Sequence, residues 1–304
     1  MANRIAVTRV WGMYFSPTGT TRKIVTAVGE EAAASLAAAG GKEVPFGTYD
    51  FTLPDRRIPA GGGGQAGPGA DAAQPAGMVM PGDLVILGVP VYAGRVPNLL
   101  LPFLRSIKGH GARGVPVVLF GNRNFDDALA ELGDILKQGG FIPVAAAAFA
   151  GEHSFSSRIA PGRPDETDLA AARQFAGEIV HKLERTAAAP LAGSVPDLHL
   201  PGAPEAERIY YQPRDAEGNK IDIRKVKPLT RHTCQACGIC AAVCPMGAIE
   251  ARAPEQVNGI CIKCCACVRQ CPVQAKYFDD PGYLYHVRDL EAKLSGRKEP
   301  VFFV

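Results

Sequence analysis

Nine cysteines are the residues best equipped for chemistry in this 304-residue chain, and all of them lie between Cys234 and Cys271. Eight form two copies of one run, Cys234-x2-Cys237-x2-Cys240-x3-Cys244-Pro245 and Cys261-x2-Cys264-x2-Cys267-x3-Cys271-Pro272. Thiolates are soft ligands that suit iron–sulfur centres and not hard cations. In such runs three closely spaced thiolates reach one cubane from a single tight loop, and the fourth cysteine ligates the other cluster. The expectation is two [4Fe-4S] clusters, one on Cys234, Cys237, Cys240 and Cys271, the other on Cys261, Cys264, Cys267 and Cys244. A pair of zinc sites is the competing reading, but zinc knuckles use two separated cysteine pairs and give the Cys-Pro repeat no purpose. Cys265, beside Cys264, reads as a small buried thiol and not as a ligand. His232, just before Cys234, is either an ordinary loop histidine or a group that tunes solvent access.

A second constellation lies near the N-terminus. Ser16-Pro17-Thr18-Gly19-Thr20-Thr21 places hydroxyls, a glycine and free N–H groups where a helix begins, and such a terminus favours an anion. A phosphomonoester fits it better than a nucleotide triphosphate, because no lysine follows as in a P-loop. An ordinary Ser/Thr helix cap is the plainer alternative. Two further loops follow apolar runs: Pro90-Val91-Tyr92-Ala93-Gly94-Arg95 and Gly121-Asn122-Arg123-Asn124-Phe125. Gly151-Glu152-His153-Ser154 follows a third, and His153 there is either a structural loop histidine or a group that approaches a ligand.

The elements that position these loops alternate. Strand-like runs fall at Ile5–Phe15, Val44–Tyr49, Leu84–Val89, Val115–Phe120 and Phe141–Phe149. Helical patterns follow the first at Ser16–Ala39 and lie at Val96–Ile107, Asp126–Lys137 and Asp165–Thr186. This alternation predicts an α/β domain over residues 1–187, a doubly wound five-stranded parallel sheet with its loops meeting at the carboxyl edge. Trp11 sits inside the first strand and reads as core. The Gly/Ala/Pro-rich stretch from Tyr49 to Asp83, including Gly61–Gly64, predicts a mobile loop with no dinucleotide fingerprint. Residues 188–229 read as an extended linker, 230–280 as the cysteine domain, and 281–304 as a tail with a short helix near His286–Leu294 and an apolar end, Val301–Val304, able to pack back.

Three loops at one sheet edge, one of them suited to phosphate and two bearing aromatic residues, describe a site for FMN. The pattern resembles flavodoxins, and nearly the whole chain resembles the flavodoxin-ferredoxin fusion family. That family joins a flavodoxin-like domain to a small α+β bacterial-type two-[4Fe-4S] ferredoxin domain. The resemblance implies that Ser16, Thr18, Gly19, Thr20 and Thr21 hold the FMN phosphate. It places Pro90, Val91, Tyr92, Ala93, Gly94 and Arg95, with Gly121, Asn122, Arg123 and Phe125, around the isoalloxazine. Arg95 and Arg123 stand where many flavodoxins carry acidic residues, and a cation there favours an anionic reduced flavin.

Composition narrows the partners. Thirty-three Lys and Arg against 30 Asp and Glu leave a formal charge of +3, too little to imply nucleic acid. No apolar run approaches the roughly 20 residues of a spanning helix, so membrane insertion is not expected. MANRIAVTRVWGMYF lacks an export pattern, and crowded cysteines fit metal ligation in a reducing compartment, so a cytoplasmic setting is expected. Three functions stay open. One is an electron carrier exchanging with redox partner proteins; the second is an oxidoreductase passing cluster electrons through FMN to a small organic acceptor such as a quinone or nitro compound; the third is a docking scaffold with an empty flavodoxin-like fold. No catalytic residue or oligomeric state is assigned.

Overall fold

The computed structural model describes residues 7–57, 79–188 and 198–304. Residues 5 and 6 of the first expected strand and the glycine run 61–64 lie outside the described residues. Strands β1 (Arg9–Tyr14), β2 (Phe46–Asp50), β3 (Asp83–Pro90), β4 (Arg113–Phe120) and β6 (Ala146–Ala150) pair in parallel in the order β2-β1-β3-β4-β6. This is the 2-1-3-4-5 order of flavodoxin-like doubly wound sheets, with its switch point between β1 and β3. β5 (Ile142–Pro143) is a short piece pairing with β4 before β6.

The central strands are buried almost throughout, their successive side chains facing opposite sides, as a sheet covered on both faces requires. Leu84 and Ile86 of β3 face one core with Ile24, Val25 and Val28 of α1 (Thr20–Gly40) and Phe175 and Ile179 of α4 (Glu166–Ala188). Val85, Leu87 and Val89 face the other, with Leu104 of α2 (Leu101–Ser106) and Leu129, Leu132 and Ile135 of α3 (Ala128–Gln138). Gly88 sets how closely α1 approaches β3, because a Cβ there would lie 2.3 Å from Val25 Cγ2 and 2.9 Å from Thr21 Cγ2.

Three expectations are corrected. The helix expected over Val96–Ile107 is a single 3₁₀ turn, Asn98–Leu100, followed by the six-residue α2, since Pro97 and Pro102 remove donors along the segment. The strand expected over Phe141–Phe149 is split into β5 and β6 after Pro143. The sheet is also not limited to five parallel strands. β9 (Val301–Phe303) adds antiparallel to β6, with Phe302 opposite Ala147, so the apolar end of the tail covers what would otherwise be an open edge.

The segment before the cysteines lies against the first domain. Asp127 accepts from Ala203 N at 2.8 Å, Arg208 pairs with Asp134, and Tyr211 N donates to Ala93 O at 2.8 Å. Beyond it, β7 (Leu229–Thr230) and β8 (Lys276–Tyr277) form an antiparallel pair beside the short helices α5 (Ile239–Ala242) and α6 (Ala266–Arg269). Helix α7 (Pro281–Lys293) starts at Asp280, whose carboxylate accepts from Tyr283 N at 2.8 Å. Among the described residues no helix is long and apolar enough to cross a membrane.

Candidate functional site

A cleft of about 520 Å³ opens at the carboxyl edge of the sheet, where the loops after β1, β3, β4 and β6 meet. Pro17, Thr18, Thr20 and Thr21 form one end. Ser16 is turned into the loop itself: its N–H donates to Thr52 Oγ1 at 2.8 Å and its Oγ accepts from Arg22 N at 3.0 Å. Gly19, at φ 84°, takes the left-handed turn that starts α1, and its N–H donates to Ser16 O. Neither Ser16 nor Gly19 lines the cleft. Thr21 does, and its Oγ1 is fully buried with no hydrogen-bond partner in the described protein. A buried hydroxyl without a partner is costly unless something else meets it.

The loop after β3 is a tight turn. Tyr92 and Arg95 exchange backbone hydrogen bonds of 2.9 and 3.1 Å around Ala93 and Gly94, both left-handed at φ 51° and 77°, which is the geometry of a type I′ turn. Pro90, Val91, Tyr92, Ala93 and Gly94 line the cleft, as do Gly121, Arg123 and Asn124 after β4. Burial first, then the Cys264, Cys265 and Cys261 thiolates, push the Tyr92 phenol well above its ordinary range.

Three residues expected beside the flavin face elsewhere. Arg95 is buried against Glu131, its Nε 2.8 Å from the carboxylate, and serves to join β3 to α3. Asn122 is almost fully buried, and its Nδ2 donates to Leu294 O at 3.1 Å and Gly296 O at 2.8 Å, tying the end of β4 to the tail. Phe125 packs on Phe120 with centroids 5.8 Å apart. The sequence places all three in the right loops but carries no signal for which way a loop side chain turns. Trp11 is far from the cleft chemistry, with Nε1 donating to Asp83 at the start of β3.

The far wall comes from segments read as linker and tail. Tyr210, Tyr211, Gln212 and Pro213 line the cleft, followed by Ile221 to Arg224 and, from α7, His286 and Leu290. Arg123 lies 4.1 Å over the Tyr211 ring, and His286 lies 6.0 Å from it. His153 packs against Gly121 and accepts at Nδ1 from Phe155 N, 3.1 Å away, so the neutral ring carries its proton on Nε2. Burial, then the charges of His286, Arg269 and Arg123, lower its pKa to about 4. Burial also lowers that of His286. His286, Tyr211 and Arg269 escaped the sequence reading because no local motif marks a residue that reaches the site from a distant element.

The cysteine region repeats at the backbone level. Ala236 and Lys263 are both left-handed, as are Gly238 and Cys265, and Gly247 and Gln274, at equivalent places in the two runs. Ala236 N–H donates to Cys234 Sγ and Lys263 N–H to Cys261 Sγ, both at 3.4 Å, and Ala248 N–H donates to Cys244 Sγ at 3.3 Å and Ala275 N–H to Cys271 Sγ at 3.1 Å. Such donors favour thiolate over thiol. A small cavity is walled by Cys244, Cys261, Cys264 and Cys267, with Cys265, Ile249 and Phe278. Cys240 is buried, Cys234 and Cys271 are half-buried, and Cys237 is exposed. Among the described residues no three His, Cys, Asp or Glu side chains converge as they would on a single ion. Cys265 stands where the first run has Gly238, its Sγ 3.6 Å from Tyr283 Oη.

The two regions touch. Cys261 lines both the cysteine-walled cavity and the cleft. Arg269 of α6 donates to Ser154 O at 3.1 Å and bonds His153 O and the Glu152 carboxylate. Arg57 bonds Pro245 O, fastening the other run to the loop after β2.

No family model and no curated protein matches the chain. Among solved structures it is similar to a flavodoxin from the domain Archaea, at 12% identity over 58% of this chain and 98% of that one, with a TM-score of 0.38. It is also similar to a flavodoxin of Streptococcus pneumonia TIGR4, at 15% identity over 57% and 98% with a TM-score of 0.35. An oxidoreductase from Corynebacterium diphtheriae is 15% identical over 59% and 98%, with a TM-score of 0.41.

Proposed function

We propose that this chain is an electron-transfer protein that passes single electrons between two [4Fe-4S] clusters in its cysteine region and a non-covalent FMN in its cleft. The observation that carries this reading is the place of Cys261, one thiol bordering both the cysteine-walled cavity and the flavin cleft. A cluster ligand at the wall of a flavin site is a short route for an electron.

The residues present suit both groups. Cys244, Cys261, Cys264 and Cys267 wall one cavity in the combination that the crossed arrangement of such runs requires. Cys234, Cys237, Cys240 and Cys271 are assigned to the second cluster, where exposed Cys237 marks the side from which a protein partner could exchange electrons. Thr18, Thr20 and Thr21 would hold the FMN phosphate, the last with its orphaned hydroxyl. Tyr92, Ala93, Gly94 and Gly121 would flank the ring system. Of the two arginines expected beside the ring system, Arg123 lines the cleft, where it is itself paired with Asp126, while Arg95 is paired away with Glu131. FMN accepts one or two electrons, so it supplies the junction between one-electron clusters and two-electron chemistry. A reducing cytoplasm is the compartment in which free thiols of this density persist.

The test is stoichiometry on anaerobically purified protein: iron, acid-labile sulfide and released flavin per chain. About eight irons with one FMN supports the reading. Eight irons without flavin after reconstitution with FMN would leave only the clusters active.

A further inference from the structure

The cleft is longer than the phosphate and ring loops account for, and its remaining wall is aromatic. His153, Phe155, Tyr211 and His286 follow one another around it, with His153 and Phe155 centroids 5.1 Å apart, Phe155 and His286 6.3 Å, and His286 and Tyr211 6.0 Å. Among the described residues His153 Nε2 has no hydrogen-bond partner, and neither nitrogen of His286 has one. His286 is only 4% exposed, so an imidazole without partners has been carried into the cleft by α7. Arg123 lies over the Tyr211 ring and is paired with Asp126, while Glu152 is held by Arg269.

Building on the FMN reading of this cleft, we propose that these four rings form a second subsite for a small planar acceptor bearing carbonyl oxygens, of the quinone class. Aromatic walls bind a flat apolar body, and neutral imidazole N–H groups donate hydrogen bonds to oxygen acceptors. The lowered pKa of both histidines agrees, since an uncharged ring enters such a box at less desolvation cost. Reduction of a quinone to its hydroquinone consumes two electrons and two protons. The electrons are those the clusters and flavin carry; the protons come from water, because a neutral imidazole donates a hydrogen bond without giving up its proton.

Duroquinone is the probe, fully substituted so that it does not add to thiols. Full-length, FMN-loaded, oxidised protein is titrated with it calorimetrically, where no turnover occurs. Saturable binding of one equivalent is expected. His153→Ala should weaken it about tenfold and His153→Gln less, in keeping with one lost hydrogen bond. Tyr211→Leu, a change on the surface strap that leaves the sheet untouched, should also weaken it, and FMN affinity should stay within about twofold in all three variants, since the phosphate loop is unaltered. Absence of duroquinone binding by protein that holds FMN overturns the subsite alone, as does equal affinity in the variants. Loss of FMN affinity in His153→Ala would assign the box to the flavin instead. A chain that holds no FMN removes both proposals.

Discussion

Arg269 Nε donates to Ser154 O across 3.1 Å, so a residue between two expected cluster ligands, Cys267 and Cys271, holds the loop that carries His153. The same guanidinium bonds His153 O and the Glu152 carboxylate, which spends three contacts on one loop. A planar fork makes such a clamp where a lysine could not. The wall of the cleft therefore depends on the fold of the cysteine region.

Arg269→Ala should free residues 152–156. Charge-assisted bonds to a half-buried carboxylate and two carbonyls make a loss of about 1–3 kcal/mol reasonable. Hydrogen exchange in that segment should quicken while iron content stays constant, and Arg269→Lys should recover only part of the protection. Unchanged exchange would show that the loop is held by its own packing.

Thr21→Val tests the orphaned hydroxyl from two directions. Without flavin, removing a buried Oγ1 that has no partner should raise stability by about 1 kcal/mol in urea unfolding. With flavin, the same change should weaken FMN by about tenfold if the hydroxyl meets the phosphate. Stabilised protein with undiminished FMN affinity would mean that Thr21 is merely a flaw in packing.

Cys265→Gly restores at this position the residue that stands in the first run, Gly238, where φ is also left-handed. The glycine relieves backbone strain and gives up a buried thiol, so stability should change by less than about 1 kcal/mol. Iron and sulfide should be unchanged, in contrast to Cys264→Ala. Loss of iron from Cys265→Gly would make Cys265 a ligand.

His153 makes stability depend on pH. Its folded-state pKa of about 4 lies below the unfolded value near 6.5, so the unfolded chain binds the proton more readily, and stability present above pH 6.5 is lost as pH falls towards 4. His286, Arg269 and Arg123 face it and oppose its charging; Glu152, paired with Arg269, does not offset them. The full effect is about 3 kcal/mol. His153→Asn should flatten the fall between pH 6.5 and 4.5 in denaturant midpoints, and an unchanged slope would place the imidazole in water.

How far the sequence could be read follows the range of the interactions. The cysteine runs and the five parallel strands are legible because their signals are local: fixed spacing in one case, short apolar runs before Gly-rich loops in the other. The paths of Arg95 and Asn122 are not. Each is decided by a partner on another element, Glu131 for Arg95 and the carbonyls of Leu294 and Gly296 for Asn122, and no window of sequence contains both members. The segment at Tyr211 reads as linker for the same reason, since prolines and turn residues describe its backbone but not the surface it lies on.

The tail offers the sharpest test of a long-range contact. Phe302 lies opposite Ala147 on β6, and its ring packs 5.5 Å from Phe149 and 4.9 Å from Phe175 of α4. Arg297 anchors the same segment through Asp165 and Asp168, which also holds buried Arg163. Phe302→Ala removes a half-buried ring that bridges strand and helix, and should cost roughly 2–3 kcal/mol, the low end for a large-to-small change. Val304→Ala, at an exposed position, should leave the urea midpoint where it is. If the two variants unfold together at the wild-type midpoint, β9 contributes nothing to the sheet, and the edge of β6 is protected by the Arg297 anchor alone.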